Sequence, residues 1–347
     1  MRTLILKFAL IVCAWMVASA DAPPSYAQGC VCQKQGSPAF GGLETYLRQG
    51  ERQITVSFRG YESTEHFRGT EAFPSLDPNG PINKQLTFVG DLTYGLTDKW
   101  GISLSIPWYK NGFAVRRAGP DSSTPYFQDT PVSGVGDVSL RARYWLFSTE
   151  NPRRNVSLTG GLKGPSGSAG STGTVGGRTV PADVSIQTGD KAWGITTAVQ
   201  AFQDWDRVSV YGTLSYLFNP RNTTGVPTFF GSLNNPNNTT MNSSADQYSS
   251  QVGASVVISR KLPVPSIAYR IEGVPVHDVF GKSDGFRRPG MISFFEPGIN
   301  MQIHGNLVSF SVAIRDYVNI KDSPTSTRRE DATVPQYMFF AAYSRRF

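Results

Sequence analysis

The chain has 347 residues, a hydrophobic fraction of 39% and a mean hydropathy of −0.24. A helical membrane protein of this size would need several apolar runs of about 20 residues, and the sequence contains none after its first twenty positions. Its 35 glycines, 23 prolines and 12% aromatic residues favour strands and turns over helices. The formal net charge is +7, but the basic residues are scattered, so nucleic-acid binding is not predicted.

The N-terminus has the pattern of a secretory signal peptide. Arg2 and Lys7 precede or flank an apolar run at 8–17, which is followed by two cleavage sites of small residues. We prefer the second site, after Ala27, because two prolines precede it. The alternative, an N-terminal membrane anchor, is less favoured because the apolar run is too short to span a bilayer. The sequence therefore predicts export and removal of residues 1–27.

Residues 28–50 are predicted to form a periplasmic N-terminal segment that carries Cys30 and Cys32. Two thiols separated by a single residue can form a disulfide or bind a soft metal ion. The alternative is an idle pair on a tail, since the chain has only three histidines that could complete a metal site. No cofactor is predicted.

From residue 51 onward, apolar residues alternate with small or polar ones, as in membrane-spanning strands of about 9–11 residues. In the clearest segment, Leu86, Phe88 and Leu92 fall on one face. Thr87 and Asp91 fall on the opposite face. The predicted strands are 51–60, 85–96, 100–108, 136–147, 155–163, 191–202, 207–218, 247–260, 265–275, 291–303, 306–318 and 334–347.

The connections between these strands alternate between short and long. Outer-membrane barrels have short periplasmic turns and long extracellular loops, and an even number of strands leaves both termini in the periplasm. A soluble β-sandwich is the alternative, but its strands usually have only about five or six residues. An open sheet would leave unpaired amides in lipid. The sequence therefore predicts an all-β fold, a closed antiparallel transmembrane β-barrel of about twelve strands over 51–347.

If the apolar face meets lipid, the other face lines the lumen, where small residues leave space and ionisable groups can set selectivity. The predicted lumen-facing ionisable residues are Asp91, Asp137, Glu272, Glu296, Arg141, Arg143, Lys163, Arg270, Arg315 and Arg346. Six cations against four anions indicate at most a mild anion preference. The alternative is that these residues form pairs that brace the wall or tether a loop folded inward, such as 164–190.

The last strand ends on Phe347, with aromatic residues at alternate positions that include Tyr343 and Phe339. This ending resembles the signal by which the outer-membrane insertion machinery recognises its substrates. It predicts two partners, that machinery during biogenesis and outer-membrane lipid afterwards.

Residues 134–144, which read Gly-Val-Gly-Asp-Val-Ser-Leu-Arg-Ala-Arg-Tyr, resemble a recurrent strand of the outer-membrane transporter family ascribed to the phenol-degradation meta-pathway. The segment 102–107, ending in proline, is similar to another strand of that family. The resemblance implies a β-barrel that takes up small, often aromatic or apolar, compounds. No residue in these motifs specifies phenol.

Three hypotheses for function follow. The first is a channel for passive or selective diffusion of small solutes, either small aromatic and apolar compounds or anions. The second is a non-transporting barrel that has a structural role or binds partners. The third is an outer-membrane lipid hydrolase, which is not favoured because none of the three histidines has the His-x-Ser spacing that such barrels use. We therefore predict that the protein is not an enzyme.

Overall fold

The computed structural model describes residues 46–74, 80–117, 126–147, 150, 153–259, 262–325 and 331–347. The predicted signal peptide, together with Cys30 and Cys32, lies outside the described residues. Within those ranges, no helix is long and apolar enough to cross a membrane.

The described residues form eighteen strands and one short helix, α1 (Phe229–Asn234). In chain order the strands are β1 (Arg52–Arg68), β2 (Glu71–Ala72), β3 (Ile82–Gly95), β4 (Trp100–Arg117), β5 (Tyr126–Val135), β6 (Ser139–Trp145), β7 (Arg154–Lys163), β8 (Thr172–Val175), β9 (Arg178–Pro181), β10 (Gly194–Trp205), β11 (Val208–Phe218), β12 (Thr223–Pro227), β13 (Met241–Ser243), β14 (Gln247–Val256), β15 (Val264–Val274), β16 (Gly290–Ile303), β17 (Asn306–Ile320) and β18 (Ala332–Arg346).

In the described part of the chain, twelve of these strands form one closed antiparallel barrel in sequence order. The barrel strands are β1, β3, β4, β6, β7, β10, β11, β14, β15, β16, β17 and β18. Strand β18 pairs with β1 from Gln53–Arg346 to Phe67–Ala332, which closes the sheet. Closure pairs the backbone groups that an open edge would leave without partners in lipid. The predicted twelve-strand barrel is thereby confirmed.

The side chains alternate between lipid and lumen as the sequence pattern predicts. Leu140, Leu158, Leu162 and Leu214 point outward and are between 46% and 57% exposed. Their neighbours on the same strands are small, polar or charged and point into the barrel, where Ser157 is fully buried. The apolar surface of this fold is therefore its outer surface, opposite to the arrangement of a soluble barrel.

The strands differ from the prediction mainly at their extracellular ends. Strand β1 has 17 residues and β4 has 18, so both continue well beyond the predicted ends at 60 and 108. Residues 109–135, which the sequence predicts as a long loop between the strands 100–108 and 136–147, are a loop only in part, because β4 continues into them and β5 pairs with its upper part. Strand β6 begins only at Ser139, after a break at 136–138 in which Gly136 N donates to Pro107 O.

The extracellular loops are packed rather than extended. Strands β8 and β9 form a hairpin between β7 and β10, and β12 pairs with β13 between β11 and β14. Side chains of β4, the β8–β9 hairpin and α1 share an apolar cluster that includes Phe113, Val180, Phe229 and Phe230. The outer end of the barrel is consequently filled by its own loops.

Candidate solute pathway

A cavity of about 870 Å³ lies inside the barrel. Its lining runs from the periplasmic turns, at Leu262 and Gly305, to Tyr109 in β4. Six of the ionisable residues predicted to face the lumen line this cavity: Asp91, Asp137, Arg141, Arg143, Arg270 and Arg346. The other four do not line it: Lys163, Glu272, Glu296 and Arg315.

The cavity exists because the inward positions on one side of the barrel carry short side chains. Those on β7, β10, β11 and β14 that line it include Thr159, Thr196, Ala198, Thr213, Ser215 and Ser249. Hydroxyl groups can hydrogen-bond to water or to a polar solute. Larger apolar side chains at the same positions would pack against one another and leave no cavity. The lining is therefore suited to a hydrated path.

The first ionic cluster lies on β3, β4 and β6. The register places Asp91 opposite Ser105 and Ser105 opposite Ser139. From the next inward position on β6, Arg141 donates through Nη2 to Asp91 Oδ1 at 2.8 Å and also to the Ser105 hydroxyl. Arg143 lies one inward position nearer the periplasm, and its guanidinium carbon is 5.4 Å from the centroid of the Trp145 ring.

The second cluster joins the barrel wall to the loop between β7 and β10. Lys163 Nζ lies 3.3 Å from Asp137 Oδ2 and 2.5 Å from Asp190 Oδ1, and the lysine side chain is fully buried. Asp137 also accepts a hydrogen bond from Gly167 N at 2.8 Å. A residue of the wall and a residue of the loop thus share one cation, which fixes where the loop leaves the barrel.

The third cluster spans the lumen itself and is almost completely buried. Arg270 Nε lies 2.6 Å from Glu296 Oε2, and Glu272 lies 3.5 Å from both Arg270 Nη1 and Arg59 Nη1. Three barrel strands separate β1 from β15, so the Arg59–Glu272 contact crosses the interior. Such cross-lumen pairing is the arrangement that the bracing alternative predicts. Arg315 pairs separately with Glu65.

A stretch of the loop between β7 and β10, residues 182–188, folds into the outer end of the barrel, and we call it the inward segment. Nearly all of its residues are buried. Lumen side chains hold its backbone and hydroxyl groups: Asn83 Nδ2 donates to Ser185 Oγ at 2.7 Å, and Gln85 Nε2 donates to Ser185 O at 3.0 Å. Asn111 Nδ2 donates to Ile186 O at 3.1 Å. The inward segment therefore occupies the lumen above the cavity.

A buried ion pair anchors the inward segment to another loop. Arg288, between β15 and β16, donates from Nη1 and Nη2 to the two carboxylate oxygens of Asp183 at 2.9 and 2.7 Å. The exposed fractions of the two side chains are only 4% and 2%. This two-pronged geometry is the strongest form of an arginine–carboxylate contact, so Asp183 and Arg288 act as a latch on the inward segment.

The latch has a defined response to pH. Burial by itself would raise the pKa of Asp183, but the charge and hydrogen bonds of Arg288 hold the pKa below its ordinary value. A carboxyl whose pKa is lowered in the folded state stabilises that state above the unfolded pKa of about 3.9, and loses the contribution as pH falls through the lowered value. We expect conductance to be constant from pH 7 to about pH 5 and to rise only below about pH 4. The measurement is single-channel conductance against pH, and Asp183→Asn should remove the acid-dependent rise.

Several residues of these clusters were not predicted from the sequence. Arg59 lies in β1, where outward apolar residues alternate with inward polar ones. The sequence pattern could therefore have predicted that its side chain points into the lumen. Asp183, Asp190 and Arg288 lie in loops without periodicity, and no local signal indicates that they turn inward. The sequence left open whether a loop enters the lumen. The structure shows that the inward segment does so.

Comparisons with known proteins support the fold. No protein-family model and no curated protein matches the chain. Among solved structures, an outer-membrane channel from Pseudomonas putida F1 is similar, with a TM-score of 0.59, 12% identity, and coverage of 90% of this chain and all of the other. A FadL homologue from Pseudomonas aeruginosa has a TM-score of 0.40 and 8% identity, covering 94% of this chain and 98% of the other. The toluene transporter TbuX of Ralstonia pickettii has a TM-score of 0.40 and 9% identity, covering 87% and 90%. The last two scores are too low to carry an argument. The first shows that this chain has the fold of an outer-membrane barrel.

Proposed function

We propose that the protein is an outer-membrane channel for diffusion of small solutes, and that the inward segment gates it on the extracellular side. The observation that carries the proposal is a closed barrel around a cavity of about 870 Å³ lined by short polar side chains and ion pairs. In a barrel with only a structural role, side chains could fill the interior, and no such cavity would be needed. Transport through it requires no catalytic group.

The proposed location is the bacterial outer membrane, reached by export with residues 1–27 as the signal peptide. The outward apolar side chains fit a lipid surface, and the residues that would carry the signal lie outside the described part of the chain. The resemblance of 134–144 to the phenol-pathway transporters supports small aromatic or apolar compounds as solutes. The lumen charges Asp91, Arg141 and Arg143 support a filter with a mild anion preference.

Single-channel recording of the refolded mature protein in a planar bilayer, with a salt gradient, tests the proposal. We expect discrete but small conductance steps with a mild anion preference. Changing Arg141 and Arg143 together to serine should reduce that preference, because both line the cavity. Channel function would be overturned if both the unchanged chain and Asp183→Asn leave the bilayer silent while they still migrate as heat-modifiable barrels.

A second candidate function is a non-transporting barrel whose loops bind partners. The packing of the outer loops around the inward segment favours it, because a buried apolar cluster holds these loops in one arrangement, as a fixed binding surface requires. The bilayer recording separates the two, since a binding platform would remain silent after the latch is broken.

The C-terminal strand supplies a prediction about assembly. The Phe347 backbone exchanges two hydrogen bonds with Arg52, at 2.8 and 3.2 Å, whereas its ring is 58% exposed on the outer surface. We expect Phe347→Ala to leave refolding in detergent unchanged, because the backbone bonds remain, and to lower the yield of inserted barrel in cells several-fold. The same change at Phe310, which is 47% exposed in the middle of β17, is the control. Equal losses for both variants would show that the terminal aromatic is not a recognition signal.

A further inference from the structure

Resting on the proposed outer-membrane location, we propose that three exposed basic residues at the extracellular end of the barrel bind the phosphate groups of a lipid in the outer leaflet. They are Lys191, Arg221 and Lys282, and we call them the rim cluster. The partner is an anionic glycolipid of the lipid A class, whose headgroup carries phosphate groups. Contact between lipid chains and the apolar barrel wall does not need these cations, so the proposal assigns a headgroup site that the fold alone does not require.

The rim cluster lies just beyond a set of outward aromatic side chains. Each of its residues is two or three positions from one of them along the chain, and the aromatic residues, in the same order, are Trp193, Phe218 and Phe280. Trp193 and Phe280 are 66% and 56% exposed. Aromatic rings of transmembrane barrels mark the boundary between hydrocarbon and headgroups. Because the rim cluster belongs to the long connections of the extracellular side, it is at the level of the outer-leaflet headgroups.

Hydrogen bonds between three different connections bring the rim cluster into one surface. Arg221 donates from Nη1 to the carbonyl oxygen of Lys191 at 3.0 Å. The backbone nitrogen of Lys282 donates to Asn222 Oδ1 at 2.7 Å. Gly281 permits this approach, because its φ is 104° and a Cβ there would lie 2.5 Å from the same oxygen. Residues that are 30 to 91 positions apart are therefore held side by side.

The carboxylates of the same segments are mostly used within the loops, which leaves the cations on the outside. Asp278 pairs with Arg287, and both side chains are 1% exposed. Asp190 pairs with the buried Lys163. Asp284 is the exposed acid among the described residues of these segments. Among the ion pairs of the described residues, none involves the rim cluster. Three exposed cations and one exposed carboxylate form a surface that attracts anions.

The chemistry of the rim cluster fits a phosphate group that is attached to a lipid. Arg221 is held through Nε, which donates to Thr223 O at 2.7 Å, and through Nη1, whereas its Nη2 makes no hydrogen bond with the described residues. Guanidinium and ammonium groups bind phosphate through charge-assisted hydrogen bonds. The exposed rings of Trp193 and Phe280 offer apolar contact for acyl chains directly below. A free phosphate ion would gain nothing from those rings, whereas an anionic lipid uses both surfaces.

The test is native mass spectrometry of the purified mature barrel in detergent, titrated with diphosphorylated lipid A or with phosphatidylcholine, which has no net charge. We expect lipid A to bind at least about tenfold more tightly, since each Lys or Arg near an anionic lipid surface contributes favourably. Changing all three residues of the rim cluster to glutamine should remove this preference. The matched control removes the same charge from exposed residues at the periplasmic end and should keep the preference: Arg153→Gln, Arg154→Gln and Arg207→Gln.

A smaller variant keeps the proposal falsifiable if Arg221 is needed for loop packing. Lys191→Gln combined with Lys282→Gln keeps the backbone hydrogen bonds of both residues and should weaken lipid A binding several-fold. The proposal is overturned if lipid A binds no better than phosphatidylcholine, if both variants bind lipid A like the unchanged chain, or if the periplasmic control loses as much affinity. Displacement of lipid A by an equal concentration of inorganic phosphate would also overturn it, because the site would then belong to the free ion.

The outcome for this site is separate from the outcome for the channel. A barrel that conducts ions without preferring lipid A would overturn the headgroup site and leave the channel standing. A barrel that binds lipid A through the rim cluster but stays silent in the bilayer would do the reverse.

Discussion

Replacing Asp183 with asparagine is expected to raise the mean single-channel conductance several-fold. In the unchanged chain the Arg288 side chain is only 4% exposed and donates from two nitrogens to the Asp183 carboxylate. The substitution leaves this buried guanidinium beside a neutral amide. Breaking one half of a buried ion pair costs about 3–5 kcal/mol, which shifts an equilibrium by roughly a hundredfold or more. The inward segment should leave the lumen for much of the time. The measurement is conductance and open probability in a planar bilayer at neutral pH.

The matched control breaks an ion pair that has nothing to do with the inward segment. Lys84 and Glu62 lie 3.7 Å apart on the surface, with side chains 56% and 51% exposed. Exposed pairs of this kind contribute little, because water and salt screen them, so Lys84→Gln should conduct like the unchanged chain. An Asp183→Asn barrel that conducts no more than the unchanged chain would show that the latch does not control the path.

Replacing Arg270 with methionine is expected to cause the largest loss of stability. Glu296 accepts hydrogen bonds from Arg270, from Gln251 at 2.8 Å and from Ser311 at 2.6 Å, and it is 5% exposed. Without Arg270, Glu296 loses its ion-pair partner while it stays buried, and Glu272 loses its contact with Arg270. We expect the free energy of unfolding to fall by about 3–5 kcal/mol. Denaturant titration in lipid or detergent, followed by tryptophan fluorescence, measures it.

Two further variants separate charge from packing in this network. Arg270→Met combined with Glu296→Leu removes one charge of each sign and leaves the Arg59–Glu272 pair, so it should recover much of the lost stability. Arg346→Met breaks a partly exposed pair with Glu51, with side chains 35% and 29% exposed, and should cost less than about 1 kcal/mol. An Arg270→Met barrel as stable as the unchanged chain would refute the bracing role.

The barrel itself could be predicted because lipid imposes a simple rule on the sequence. A strand in the bilayer must present apolar side chains to the lipid. The alternation of Leu158 and Leu162 with polar and small neighbours therefore shows that this segment is a membrane-spanning strand and which of its residues face outward. Strand β5 was missed because it pairs with the upper end of β4 on the extracellular side, where no such rule applies. Pro131 and Gly134 within it also read as loop residues.

The site could be predicted only in part. The inward direction of Asp91 and Arg141 follows from alternation, and their pairing follows from the register of neighbouring strands. The Arg59–Glu272 contact crosses the lumen, so it depends on how the closed barrel brings distant strands together. Asp183 and Arg288 are 105 positions apart in two loops. Loop packing has no period, and the inward segment could not be derived from the sequence.

The central claim, that solutes pass through the interior of this barrel, is tested most directly by blocking the lumen with a thiol reagent. In a chain carrying Cys30→Ser and Cys32→Ser, Thr159→Cys places a thiol on the cavity lining, whereas Leu158→Cys places one on the lipid-facing surface of the same strand. A charged methanethiosulfonate added during planar-bilayer recording should reduce the current of Thr159→Cys and leave that of Leu158→Cys unchanged. An undiminished current from a Thr159→Cys barrel that mass spectrometry shows to be labelled would contradict the account.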